Sequence, residues 1–281
     1  MPLAGEVPLT LSAYEQGCVV ATLRQQTEDA AAITDAAREL NARGVPVVDI
    51  RLAGPHDLGA ELFKWEVATA LVASVLGVDP FDEPDEQESR ERTLRLLEEF
   101  DQKGALPGAT VRLSEAGIDV HAEGRTRQEI STLRLPDALQ TFFELRRPED
   151  YLALLAFIDW NEDNRLLLGR IRARLTEALG IPVLLECGPR YLHSLGQLFK
   201  GGPLTGMYMI ITAAHQMDVA IPGARHSFGQ LLMAQALGDL ESLQRRDKPV
   251  LRLHLKESAA AGLAHLIPVV EQATANLRAK A

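Results

Sequence analysis

Cysteine is scarce in this chain: Cys18 and Cys187 are the two among 281 residues. Each adjoins a valine or leucine run, the setting of a buried free thiol in a reducing compartment rather than of a disulfide framework. Basic charge is also in deficit. Lys plus Arg number 29 against 39 Asp plus Glu, so the formal net charge is −10 and the pI is about 5.2. That balance argues against nucleic acid as a general partner, because phosphate-backbone binding needs a basic footprint. A few local donors can still hold a small anionic ligand. Long apolar runs are missing too. VATALVASVLGV, the most apolar stretch, is too short for a bilayer and follows Lys64 and Glu66, so no membrane span is expected. MPLAGEVPLTLS has no basic n-region and no long apolar core, so no secretory leader is expected. A soluble, cytoplasmic protein is expected. There is no Walker loop, GxGxxG, nucleophile elbow or CxxC, and no short-period repeat or low-complexity segment.

What is present is an α/β rhythm. The chain is 46% hydrophobic and 24% charged, ordinary for a globular protein of one large or two smaller domains. GCVVATLR (17–24) reads as a buried strand. Thr27 is placed to cap the amphipathic helix that follows and ends on Gly44. VPVVDIRL (45–52) is a second strand, and 57–77 is a long helix, apolar around most of its circumference and therefore expected to be buried. Residues 84–103 form a charged amphipathic helix with Pro84 at its first position and Asp82 or Glu83 as cap. GATVRLSEAGIDVHAEG (108–124) reads as a hairpin turning near Gly117, and TRQEISTLRLPDALQTFFELRR as helical. Strands follow at 150–159, 181–188, 206–214 and 250–255. Helices alternate with them, one opened by Asn161 and closed by Gly180, and a last one runs from Ser258. This pattern predicts parallel sheets with helices on both faces. The expected division is a partial α/β subdomain (1–104), an irregular connection (105–148) and a C-terminal α/β subdomain (149–281).

Ligands of open α/β sheets bind outside the carboxyl ends of the strands. Two loops there stand out: AGPHDLG, and CGPRYLHSLGQLFKGGPLTG with its five glycines. Glycines let backbone N–H groups approach an anion; equally, a long connection needs Gly and Pro to turn. In the second loop His193, beside Arg190 and Ser194, is a candidate acid or base near neutral pH, or a residue that orders the loop. Arg90 falls at i, i+4 and i+7 with Leu94 and Leu97. That face should point to the core or a cleft, where an arginine acts on a ligand or pairs with a carboxylate. His56, His121, His215, His226, His254 and His265 show no metal-ligand spacing.

At these residues the chain resembles a known family, the C-terminal part of the glucose-6-phosphate isomerase module of bifunctional transaldolase/glucose-6-phosphate isomerase proteins. The likeness runs through DLGAELFKWEVATALVASVLGVDPFDEPDEQESR, DYLALLAFID, GPRYLHSLGQLFKGGPLTG, IPGARHSFGQLLMAQALGDLESL and VLRLHL. The family strings read close to NPFDQPDVQESK and GPRFLHSTGQLHKGGPNTG. The resemblance implies a sugar isomerase fold of flavodoxin-like α/β/α layers with mostly parallel sheets. It implies interconversion of glucose 6-phosphate and fructose 6-phosphate without metal or organic cofactor. In such enzymes a lysine and a histidine help open the ring, and a glutamate carries a proton through a cis-enediolate whose charge needs a nearby cation.

Carried onto this sequence, the resemblance makes His193 the ring-facing acid or base and puts Arg90 in the lysine's position. Arg190, Ser194, Gln197 and Lys200 become substrate contacts. Arginine keeps the charge but cannot shuttle a proton near pH 7. Asp79 and Glu83 stand for the family's Asn and Gln, and Phe199 for a histidine. The family's catalytic glutamate and phosphate loop lie upstream of the part that MPLAGEVPLTLS resembles. A complementary isomerase half or a homo-oligomer is therefore the expected partner, with Glu186 as an alternative base. A non-catalytic sugar-phosphate-binding or assembly module is the other expectation.

Overall fold

A computed structural model describes residues 19–25, 31–108, 110–132, 134–215, 217–275 and 277. Cys18, the proposed cap Thr27 and the N-terminal twelve residues lie outside them. The chain divides into two compact units, Met1–Asp82 and Glu83–Ala281.

In the first unit β1 (Val20–Gln25) and β2 (Val47–Leu52) pair in parallel, with Val20 opposite Val47. The helix α1 (Ala31–Ala42) connects them, and Gly44 turns the chain at φ +84. That left-handed conformation strains any residue with a Cβ. The next helix, α2 (Pro55–Leu76), starts where Asp57 Oδ2 accepts the N–H groups of Ala53 and Gly54 at 2.7 and 3.1 Å. The apolar pattern predicts a buried α2, but only Glu61 and Ala73 are buried, while Phe63, Trp65, Leu71 and Val75 are exposed. A two-stranded sheet offers too little surface to cover a 22-residue helix.

The second unit opens with α3 (Pro84–Lys103), followed by β3 (Leu113–Glu115), β4 (Ile118–His121), α4 (Gly124–Glu129) and α5 (Leu135–Glu144). The stretch read as one helix is thus two: α4 ends at Ile130, whose backbone is extended, and α5 starts after the extended Arg134 with Pro136 in its first turn, where a proline's missing N–H costs no helical hydrogen bond. Then come β5 (Tyr151–Phe157), α6 (Glu162–Leu179), β6 (Val183–Cys187), a 3₁₀ turn (Arg190–His193), α7 (Gly196–Gly201), β7 (Gly206–Ala213), α8 (Phe228–Gln244), β8 (Val250–Leu255) and α9 (Ala259–Ala275). One six-stranded sheet results, in the order β3-β4-β8-β7-β5-β6. Its last four strands are parallel, and the hairpin β3–β4 joins antiparallel on β8. The fold is α/β with a mostly parallel sheet. The hairpin belongs to the sheet rather than to a separate connection, and α3 packs on α7 and α8 as part of the second unit.

Strand residues alternate between two faces. Leu152, Leu154, Met207, Met209, Leu251 and Leu253 share one face and form a core with residues of α5, α6 and α9. The opposite face carries Phe157, Tyr208 and, on β8, Arg252 and His254. It meets the aromatic rings of Tyr191 and Phe199. Among the described residues, no helix is long and apolar enough to cross a membrane.

Candidate functional site

The loop after β6 is pinned from below. Gly188 packs so closely on Phe157 that a Cβ there would lie 2.7 Å from the ring. Tyr191 and Leu192 are buried. The Tyr191 ring sits 5.7 Å from Phe157 and 5.8 Å from Phe199, and its hydroxyl donates to Asp239. The polar members of the turn point the other way. Arg190, His193 and Ser194 are exposed. Ser194 Oγ donates to the Tyr191 carbonyl at 3.2 Å. Arg190 and His193 make no hydrogen bond or ion pair with the described residues.

Two other expected substrate contacts are engaged inside the protein. Gln197 Nε2 donates to Asp85 Oδ2 at 2.6 Å, and its Oε1 accepts the Asp85 N–H at 3.0 Å. This satisfies an orphan donor in the first turn of α3. The Lys200 ammonium is fully buried, 2.6 Å from Asp239 Oδ1 and in contact with Glu86. Burial opposes its charge, but Asp239 and Glu86 outweigh burial and hold the ammonium above its ordinary value. Burial pushes the Glu86 carboxyl up, against the pull of Lys200. Burial, then Asp239, also raises the Tyr191 phenol. Lys200 is therefore a core cation rather than a substrate contact, and Gln197 is a helix brace. Glu86, where the family string has valine, is the carboxylate that closes this cluster from α3.

Arg90 also departs from expectation. The buried stripe of α3 is Glu86, Ser89, Arg92, Thr93, Leu96 and Leu97, whereas Arg90 is exposed and Leu94 is 55% exposed. The reason lies on α8. A Cβ on Gly238 would meet Thr93 Oγ1 at 2.8 Å, and Ser89 Oγ donates to Ser242 Oγ at 3.0 Å. Small residues set this helix contact, so the leucine spacing does not decide which side faces inward. Arg90 follows Glu86 by one helical turn and His193 precedes Gly196 by three residues. Glu86 and Gly196 touch, since a Cβ on Gly196 would fall 1.8 Å from Glu86 Oε1. Arg90 and His193 therefore flank one contact between α3 and α7. Phe199 is buried among aromatic rings, and its carbonyl accepts the Tyr208 hydroxyl at 2.9 Å. Glu186 is half-buried near the end of β6. Asp79 and Glu83 are exposed.

A second polar cluster went unnoticed in the sequence. On the face of the sheet toward α8, Asp119 lies opposite His254 and His121 opposite Arg252, and Thr212 pairs in register with His254. Arg252 Nη1 donates to Thr212 Oγ1 at 3.3 Å, and Thr212 Oγ1 lies 3.0 Å from His254 Nδ1. Burial lowers the Arg252 guanidinium to about 10. Burial, then the Arg252 charge, lowers His121 to about 4 and also depresses His254. Both imidazoles are thus kept neutral at physiological pH. The available signal was the i, i+2 placement of Arg252 and His254 in an otherwise apolar strand. Among the described residues, no group of three His, Cys, Asp or Glu side chains is arranged to hold a metal.

No family model matches the chain, and no curated protein matches it. Among solved structures, a hypothetical protein from Thermus thermophilus is similar at 16% identity and TM-score 0.43, over 95% of this chain. This chain spans 58% of that protein's length.

Proposed function

We propose that the chain is a glucose-6-phosphate isomerase-like protein that binds a sugar phosphate at the corner after β6 and supplies one part of the active unit. The observation that supports this reading is the outward pair Arg190 and His193, unengaged among the described residues, on a turn held from beneath by buried Tyr191, Asp239 and Lys200. A rigid scaffold bearing exposed, uncommitted polar groups at the carboxyl end of a parallel strand is the usual build of an α/β ligand site.

In this reading Arg190 pairs with the phosphate and His193 exchanges a proton with the ring oxygen, which opens the sugar. Arg90 adds positive charge on α3. Moving the proton between C2 and C1 needs a carboxylate base. In this reading a complementary isomerase half or a second copy supplies that base, with Glu186 as the alternative within the chain.

The alternative is a binding or assembly module with no turnover. Two observations favour it: Lys200 is locked in the core, and Arg90, unlike lysine, cannot shuttle protons. A coupled assay separates the two. Fructose 6-phosphate is supplied to the full chain, with and without an isomerase half that carries the glutamate, and glucose 6-phosphate is followed through a dehydrogenase. Turnover that needs both parts and disappears in His193→Ala supports the isomerase. Tight binding without turnover in any combination leaves the binding module.

A further inference from the structure

In the second unit the connections leave β5 and β7 in opposite directions, β5 toward β6 and β7 toward β8. Such a switch of strand order opens a crevice beyond the carboxyl ends of the strands. A cavity of about 320 Å³ lies beside it, at the ends of β7 and β8 and against the first turns of α8. Its apolar wall includes Phe100 and Met233; its polar groups are His215, Asp218, Gln230 and His254. The volume suits one small ring-sized molecule.

Charge and hydrogen bonding narrow the ligand. The start of α8 would ordinarily attract an anion, but Asp218 Oδ1 already accepts the Gly229 N–H at 2.8 Å and Ser227 Oγ accepts the Gln230 N–H at 3.2 Å. A carboxylate at that position repels an anion. Ser227's hydroxyl keeps Asp218 ionised by holding its carboxyl below the ordinary range. A metal lacks its ligand set among the described residues. Besides His215, three polar groups offer hydrogen-bonding functions to the cavity. His254 uses Nδ1 on Thr212 at 3.0 Å. That contact engages Nδ1 and leaves Nε2 for the cavity. Gln230 commits Oε1 to the Ser227 N–H at 2.8 Å, while its Nε2 has no partner among the described residues. Asp218 retains acceptor lone pairs on both oxygens.

The geometry points to a second ligand site: the cavity at the carboxyl ends of β7 and β8 takes a small neutral molecule bearing several hydroxyl groups, held by His254, Gln230 and Asp218 over an apolar floor. This site is distinct from the corner at β6, from which β5 separates it in the sheet.

The test is saturation-transfer NMR on the full chain with D-glucose and myo-inositol as probes, each at millimolar concentration. Transfer to ring protons is expected. Ala214→Trp fills the cavity from an exposed lining position and leaves the buried hydrogen bonds intact. It is expected to weaken binding at least tenfold at an unchanged melting temperature, and His254→Phe to weaken it similarly. The proposal is overturned if neither probe shows transfer, or if Ala214→Trp binds like the wild type. It is also overturned if His193→Ala alone abolishes transfer, because that result places neutral sugars at the β6 corner. Loss of the coupled isomerase activity without loss of transfer would count against the reading of the β6 corner and not against this cavity.

Discussion

Replacing Lys200 with methionine should unfold the second unit far more readily than it alters any ligand. The Lys200 ammonium has no exposed surface and lies between Asp239, 1% exposed, and Glu86, 6% exposed. Methionine fills most of the volume but leaves two buried carboxylates without their cation. Removing one partner of a buried ion pair costs about 3–5 kcal/mol, because the remaining charge is uncompensated. For a unit of roughly 200 residues each kcal/mol lowers the midpoint by about 2–4 °C, so the loss is on the order of 10 °C. Urea and thermal denaturation of the full chain, followed by tryptophan fluorescence and circular dichroism, measure this. Glu86→Val in the Lys200→Met background removes one orphaned carboxylate and should recover about 1–2 kcal/mol, a coupling visible in a double-mutant cycle. If Lys200→Met unfolds within about 1 kcal/mol of the wild type, the ion cluster contributes little and a substrate role for Lys200 is open again.

Other outcomes follow from the same geometry. His121 is held neutral, lowered from 6.5 to about 4 chiefly by burial. As pH falls below about 6.5 the unfolded chain takes up that proton first, so stability is lost progressively down to about pH 4, by about 3 kcal/mol. His121→Asn keeps a donor for the Thr110 carbonyl, which Nδ1 now approaches at 3.2 Å, and removes the titration. Its urea midpoint should depend less on pH across that window, and parallel curves for the two proteins would refute the assignment. Gly196→Ala drives a methyl group into the Glu86 carboxylate and should cost about 1–3 kcal/mol in urea denaturation. Arg90→Lys, at an exposed position without a partner among the described residues, should change stability by less than about 0.5 kcal/mol. In the complemented coupled assay the same variant should raise turnover, since lysine can exchange a proton.

Local signals carried much of the fold. The apolar strands 150–159, 206–214 and 250–255 fall on β5, β7 and β8, and Asn161 and Gly180 bound α6 as cap and left-handed terminator. These features depend on neighbours in sequence. What the sequence hid depends on distant ones. The inward side of α3 is chosen by Gly238 and Ser242 on α8, roughly 150 positions away, so Arg90 turns outward although its leucine spacing predicts the reverse. Lys200 resembles a surface loop lysine until Glu86 and Asp239 arrive from two other helices. The polar face of β8 is visible as Arg252 and His254 at alternating positions, but its role depends on Thr212 and on the cavity at α8.

The most direct test of the central claim is calorimetric titration of fructose 6-phosphate into the full chain and into Arg190→Ala and His193→Ala. Both side chains are exposed and without partners among the described residues, so neither substitution should alter folding. The account predicts saturable binding by the wild type that weakens at least tenfold in each variant, with unchanged melting temperatures. Absence of binding, or binding untouched by both substitutions, would contradict the placement of a sugar phosphate at the corner after β6.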